Sequence, residues 1–207
     1  MEHFLKGFAI GFAVAAPVGP VGLLCIRRAI LDGRLAGFVT GLGAATADAI
    51  FGLIAALGLT SVTTFLTSHA TGFQLVGGLC LLAIGLATMR SRPPVRESGS
   101  VHAHNLTAAY ASTIAITLTN PMTIAGFIGI FTGFGVGLGT TGAAQVSWLV
   151  FGVFLGSAAW WLLLSGCASW FGKRIPDNGL HAINVGAGLA IAFFGVWQLA
   201  RFALKLS

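Results

Sequence analysis

Apolar residues run along this chain in long unbroken blocks, neither alternating nor confined to one-sided stripes. About 20 apolar residues carry a helix across the hydrocarbon core of a bilayer, and six blocks qualify or come close. They are expected at about 4–26, 35–59, 73–89, 108–131, 148–170 and 183–202. The first is interrupted by Pro17-Val18-Gly19-Pro20 and the fourth by Asn120-Pro121. Between the third and fourth, SRPPVRESGSVHAHN is rich in Pro, Ser, Arg and His and reads as a solvated linker over about 90–107. Backbone groups inside a bilayer must pair within their own segment or around a closed barrel, and runs of this length select helices. The predicted fold class is an all-α integral membrane protein, a single transmembrane domain over 1–207.

The second block, LAGFVTGLGAATADAIFGLIAALGL, has one charge, Asp48, near its middle. An acid at that depth costs roughly 3 kcal/mol or more and needs a buried partner or a watery cavity. Gly37, Gly41, Ala45, Asp48 and Gly52 recur at intervals of three and four, so they share one helix face. Apart from the acid that face is made of small residues, which lets neighbouring helices approach closely. Asp48 is therefore either a structural acid inside a bundle or a coupling and substrate site.

Composition adds exclusions. Of 207 residues, 56% are hydrophobic and 8% charged, with a mean hydropathy of +0.92, more apolar surface than a soluble domain of this length could hide. The net charge of +6 raises the question of nucleic acid, but the basic residues lie in short loops between spans. Arg27, Arg28, Arg34, Arg90, Arg92, Arg96, Lys173 and Arg174 fall on one side of a six-span chain, against Lys6, Arg201 and Lys205 on the other. The positive-inside rule then places both termini away from the cytoplasm. Cys25, Cys80 and Cys167 are far apart in apolar runs and read as small buried hydrophobes, with no disulfide or metal motif. The first apolar run continues through Pro20 to Ile26, which favours an uncleaved span over a signal peptide.

The two halves resemble each other. Each opens with a proline-broken span and continues with a Gly-rich one, GLGAATADAIFG from Gly41 and GVFLGSAAWWLL from Gly152. The predicted repeats cover about 4–89 and 108–203, three helices each, and an odd number inverts the second copy. Matched broken helices in inverted halves point to a site at the midplane. Asn is a favoured N-cap and Pro a favoured first helical residue, so Asn120-Pro121 reads as the start of a half-helix, and Gly19-Pro20 likewise. A fresh helix start favours an anion such as a carboxylate. Asp48 could hold an ammonium group or a proton, and the combination suits a zwitterionic amino acid. The alternative is that both prolines merely kink packed helices. Trp160 and Trp161 read as packing or as cavity lining, His102 and His104 as a solvated pair, and Ser157 and Ser165 as bonding back to their own helix. No nucleophile–base pair, phosphate loop or metal-ligand constellation stands out, so neither an enzyme nor a cofactor is expected.

Pro17-Val-Gly-Pro20-Val-Gly-Leu, Asp32-Gly33-Arg34-Leu-Ala-Gly37 and Gly41-Leu-Gly-Ala-Ala-Thr-Ala-Asp48 closely resemble the opening of the lysine-exporter (LysE-type) amino-acid efflux family, and Asn120-Pro121 its second-half motif. The resemblance covers essentially the whole chain in length and span count and is most specific over 16–59. The family's usual Pro-Gly-Pro is here Val18-Gly19-Pro20, with a proline one position earlier at Pro17. The resemblance implies a bacterial inner-membrane exporter of amino acids or related metabolites, driven by an ion gradient, with protons the first choice of ion. The candidate substrate and coupling residues are Pro17, Gly19, Pro20, Gly41, Thr46, Asp48, Asn120 and Pro121. Asp48 is the one acid deep in a span, which favours a neutral over a dibasic amino acid. Partners are then the substrate, the coupling ion and the lipid bilayer, with no nucleic acid and with room for a homo-oligomer. The competing functions are export of a metal or inorganic ion, a membrane thiol-redox carrier, for which Cys25 lacks a counterpart near Asn120-Pro121, and a non-transporting anchor.

Overall fold

The computed structural model describes residues 1–17, 19–57, 64–65, 68–90, 103–120, 123–124, 126–127, 142–172 and 174–206. Among the described residues the main elements are seven helices: α1 Glu2–Ala15, α2 Pro20–Leu31, α3 Arg34–Ala56, α4 Ala70–Arg90, α5 Ala103–Thr119, α6 Ala143–Gly172 and α7 Asp177–Leu206. Four of the described segments are long and apolar enough to cross a membrane: Arg34–Ala56, Thr71–Arg90, Ala143–Gly172 and His181–Leu204. Together α1 and α2 supply the composition of a fifth, but they meet at 83°. The expected interruption of the first span is thus a corner and not a kink. Pro20 stands at the first position of α2 behind an extended Gly19, where its missing N–H costs nothing. The fourth span starts earlier than expected, since α5 begins at Ala103, and Leu106–Thr119 is apolar but too short to cross alone.

Side-chain size is distributed as in a protein solvated by lipid. The buried face of α3 carries Gly37, Gly41, Ala45, Asp48 and Gly52, while Ile50, Leu53 and Leu57 point outward. Lipid tails are as apolar as leucine, so large side chains gain little by turning inward, and small ones let helix backbones approach. The seam between α1 and α6 shows how far this goes. A Cβ on Gly7, Gly11, Gly152 or Gly156 would run into the backbone of the opposite helix, at Leu149, Val153, Phe4 and Phe8 respectively. Trp148 and Trp170, expected as interfacial anchors of the fifth span, are both exposed, and the Arg174 guanidinium lies 3.4 Å from the Trp170 ring.

Helix α3 packs on α6, α5 and α2, α4 pairs with α7, and α2 also reaches α6 and α7. The turn between α2 and α3 is two residues, Asp32 and Gly33, with Gly33 at φ 96°, the one positive φ among the described residues. Arginines brace this end of the bundle. Arg27 Nε donates to Asn184 Oδ1, and Asn184 Nδ2 donates to the Thr88 carbonyl at 2.8 Å, tying α2 to α7 and α4. Arg28 donates to Thr40 Oγ1 at 3.0 Å and to the Ala109 carbonyl at 3.3 Å, tying α2 to α3 and α5. The end of α6 belongs to the same layer, because a Cβ on Gly172 would meet Ile30 at 3.0 Å. Two of the three cysteines depart from expectation. Cys25 is buried with its thiol directed at the Gly37 carbonyl, but Cys80 and Cys167 are exposed. Helices apolar all the way round, such as α6, offer no stripe from which an inner face could be read.

Candidate functional site

Asp48 is 3% exposed and lies where α3 crosses α6. Ser157 Oγ donates to Asp48 Oδ2 at 2.7 Å, and Trp161 Nε1 donates to Ser157 Oγ at 3.0 Å. Ser157 and Trp161 are one helical turn apart on α6, so both reach the same neighbour. Sequence alone leaves Ser157 bonded to its own helix. The structure turns it outward to the acid, whereas Ser165 does bond back, to the Leu162 carbonyl at 3.2 Å.

The three polar groups sit at the junction of two apolar clusters. One contains Ala45, Ala158 and Trp161 together with Val21, Leu24 and Cys25 of α2. The other contains Phe51 and Val153 together with Ile10 of α1 and Ile124 and Phe127 beyond the second break. Both broken segments thus send residues to the cores that flank Asp48. Gly41 makes room for the indole, since a Cβ there would collide with the Trp161 side chain. Thr46 lies on another side of α3, where its hydroxyl donates to the Leu42 carbonyl at 2.9 Å and meets Tyr110 Oη at 2.8 Å. Tyr110, absent from the sequence-based set, joins α5 to α3 through a contact that only the packing of distant segments creates.

At the first break Pro17 is exposed, Gly19 half-buried and Pro20 buried. A Cβ on Gly19 would meet nothing within 4 Å, so open space adjoins the start of α2. Leu23 N–H bonds the Gly19 carbonyl at 3.0 Å, which leaves the N–H groups of Val21 and Gly22 at the helix start without a helical acceptor. At the second break Asn120 follows the end of α5, and its carbonyl accepts from Thr123 N–H at 3.1 Å and Ile124 N–H at 3.2 Å, the pattern of a new helical turn. Val18, Arg92, Arg96, His102, Pro121 and Lys173 lie outside the described residues. Among the described residues no group of three or more His, Cys, Asp or Glu side chains converges as a metal site would require.

A bundle of lipid-facing helices, one of them broken at a corner, with a carboxyl enclosed between them, defines the class of multi-span membrane transporters. The family model for LysE type translocators matches residues 12–201, and the chain belongs to that family; it is a membrane translocator and not an enzyme. Among similar proteins is one of Bacillus subtilis (strain 168) named "Putative amino acid efflux protein YcgF", 29% identical over 204 residues, 95% of each chain. Another, of Escherichia coli (strain K12), is named "Uncharacterized membrane protein YahN" and is 28% identical over 183 residues, 84% of this chain and 81% of that one. No solved structure matches the chain.

Proposed function

We propose that this protein is a secondary active exporter of amino acids across the bacterial inner membrane, coupled to the proton gradient. The observation that carries the proposal is the enclosed Asp48 carboxyl, bonded to Ser157 and set between the cores to which both broken segments contribute. A lone carboxyl inside a bundle is costly and so points to a function, and two kinds of work suit it: taking up a proton and receiving an ammonium group. Open space beside Gly19 and the helix start at Pro20 suit the substrate's carboxylate. A neutral amino acid matches one anionic and one cationic contact. The name of the Bacillus relative supports the substrate class.

The pattern of helix contacts supports two inverted repeats. Crossing of α3 with α6 pairs the second span of one half with the second of the other, and α4 with α7 pairs the third spans. The glycine seam of α1 on α6 has its counterpart in α5 on α3, where a Cβ on Gly43 would lie 2.5 Å from the Tyr110 carbonyl. The layer that gathers Arg27, Arg28, the end of α4 and the end of α6 supports a cytoplasmic location for that end, with both termini opposite.

The test is a pair of transport modes in proteoliposomes loaded with each amino acid in turn. Wild type exports its substrate against a gradient when a pH difference is imposed. Asp48→Asn keeps the size and cannot titrate, so it loses gradient-driven export while retaining exchange of labelled for unlabelled substrate. Full net export by Asp48→Asn at wild-type protein levels overturns the proposal.

A further inference from the structure

We infer that Trp161 and Ser157 are positioning residues that dedicate the two oxygens of Asp48 to different tasks, Oδ2 to the protein and Oδ1 to the exchanging proton. An indole N–H can only donate, so Ser157 Oγ must accept from Trp161. A serine hydroxyl has one proton and two lone pairs; with the indole N–H on one lone pair and an ionised carboxylate that can only accept, the proton points to Asp48 Oδ2. Oδ2 therefore accepts from Ser157 in the ionised carboxyl, and goes on accepting when a proton is taken up on Oδ1. A proton placed on Oδ2 would face the Ser157 proton, and the hydroxyl would have to turn away from the carboxyl before its remaining lone pair could receive it. Uptake accordingly forms an Oδ1–H bond and leaves the Ser157 O–H bond intact, and release returns the proton from Oδ1 to the water or substrate amine that reaches it.

No other described group competes for the carboxyl. Among the described residues Ser157 is the hydrogen-bond partner of Asp48, and the titratable or charged side chains that reach α3 from its neighbours are committed elsewhere. Arg28 serves Thr40 and the Ala109 carbonyl, Cys25 the Gly37 carbonyl, and Tyr110 the Thr46 hydroxyl. The position of Trp161 is itself fixed, since it is 4% exposed and fills the space left by Gly41. A single hydrogen bond between membrane helices contributes too little to hold the bundle together. Its consequence is directional: it decides which oxygen is free.

The inference rests on Asp48 being the coupling carboxyl, and the experiment separates the two. Purified protein in liposomes is titrated by infrared difference spectroscopy, following the carboxyl band that disappears in Asp48→Asn, alongside net export across the same pH range. Ser157→Ala removes a donor that favours the ionised form. Its band midpoint and its export profile should both move toward higher pH by about one unit, a tenfold change in proton concentration. Ser157→Thr keeps the hydroxyl and should restore both, and Trp161→Phe, which frees the serine hydroxyl to rotate, should shift them in the same direction as Ser157→Ala but less. An unchanged midpoint in Ser157→Ala at wild-type protein levels overturns the inference while leaving Asp48 in place. Normal net export by Asp48→Asn overturns the coupling role, even where the wild-type carboxyl band titrates.

Discussion

Gly41 and Trp161 meet across the crossing of α3 and α6 so closely that any side chain on the first would overlap the second. Gly41→Ala therefore has to displace the indole that orients Ser157. Overpacking of this kind costs about 1–3 kcal/mol. The expected result is a lowered thermal midpoint in detergent together with loss of export. On α4, a methyl added at Gly72 would enter open space with nothing within 4 Å, so Gly72→Ala should leave both unchanged and serves as the control.

Gly19 separates packing from transport. Its φ of −106° suits any residue and its Cβ position is empty, so the fold gives no reason for glycine there. Gly19→Ala should insert and melt like wild type. If the substrate's carboxylate docks at the start of α2, the added methyl should nonetheless weaken export at least several-fold. Wild-type export kinetics in Gly19→Ala would show that the substrate does not approach this corner.

The bond between Arg27 and Asn184 predicts a coupling between α2 and α7. Asn184 is fully buried, and its replacement by Leu leaves the Thr88 carbonyl without the amide donor. Loss of a partner to a buried polar group costs about 1–3 kcal/mol. Asn184→Leu should be destabilised by that order, and Arg27→Met in the Asn184→Leu background should cost less than it does alone. Additive effects on the melting free energy would disprove the coupling.

Orientation can be read with reporters. Alkaline phosphatase fused after residue 207 should be active, as required of a terminus outside the cytoplasm, and a fluorescent protein fused there should stay dark when exported unfolded. The opposite pair of signals would invert the topology.

Much of the site is legible in the order of residues alone. The small-residue face around Asp48 follows from spacing, and all five residues named for it are buried. Gly19-Pro20 begins a helix because proline chemistry is local, and the Asn120 carbonyl accepts from Thr123 and Ile124 as at a helix start. What escapes is tertiary. The partner of Asp48 lies 109 positions away, and one apolar serine-bearing helix looks like another until it is packed. Arg27 and Arg28 count as topological charges in the sequence, yet each also reaches into a different pair of helices. The outward placement of Cys80 and Cys167 is hidden because uniformly apolar helices carry no moment to orient them.

The corner between α1 and α2 gives the first span a double allegiance. Before it, the chain lies along α6 on a glycine seam that brings the backbones together, flanked by ring contacts of Phe4 with Trp148 and Phe151 and of Phe12 with Trp160. After it, two guanidinium groups rivet the chain to α3, α5 and α7. The two stretches are therefore held by attachments of different kinds, close apolar packing on one side and charge-assisted hydrogen bonds on the other. The corner where these two kinds of attachment meet adjoins the open space at Gly19, a side of the first span that neither of them fills.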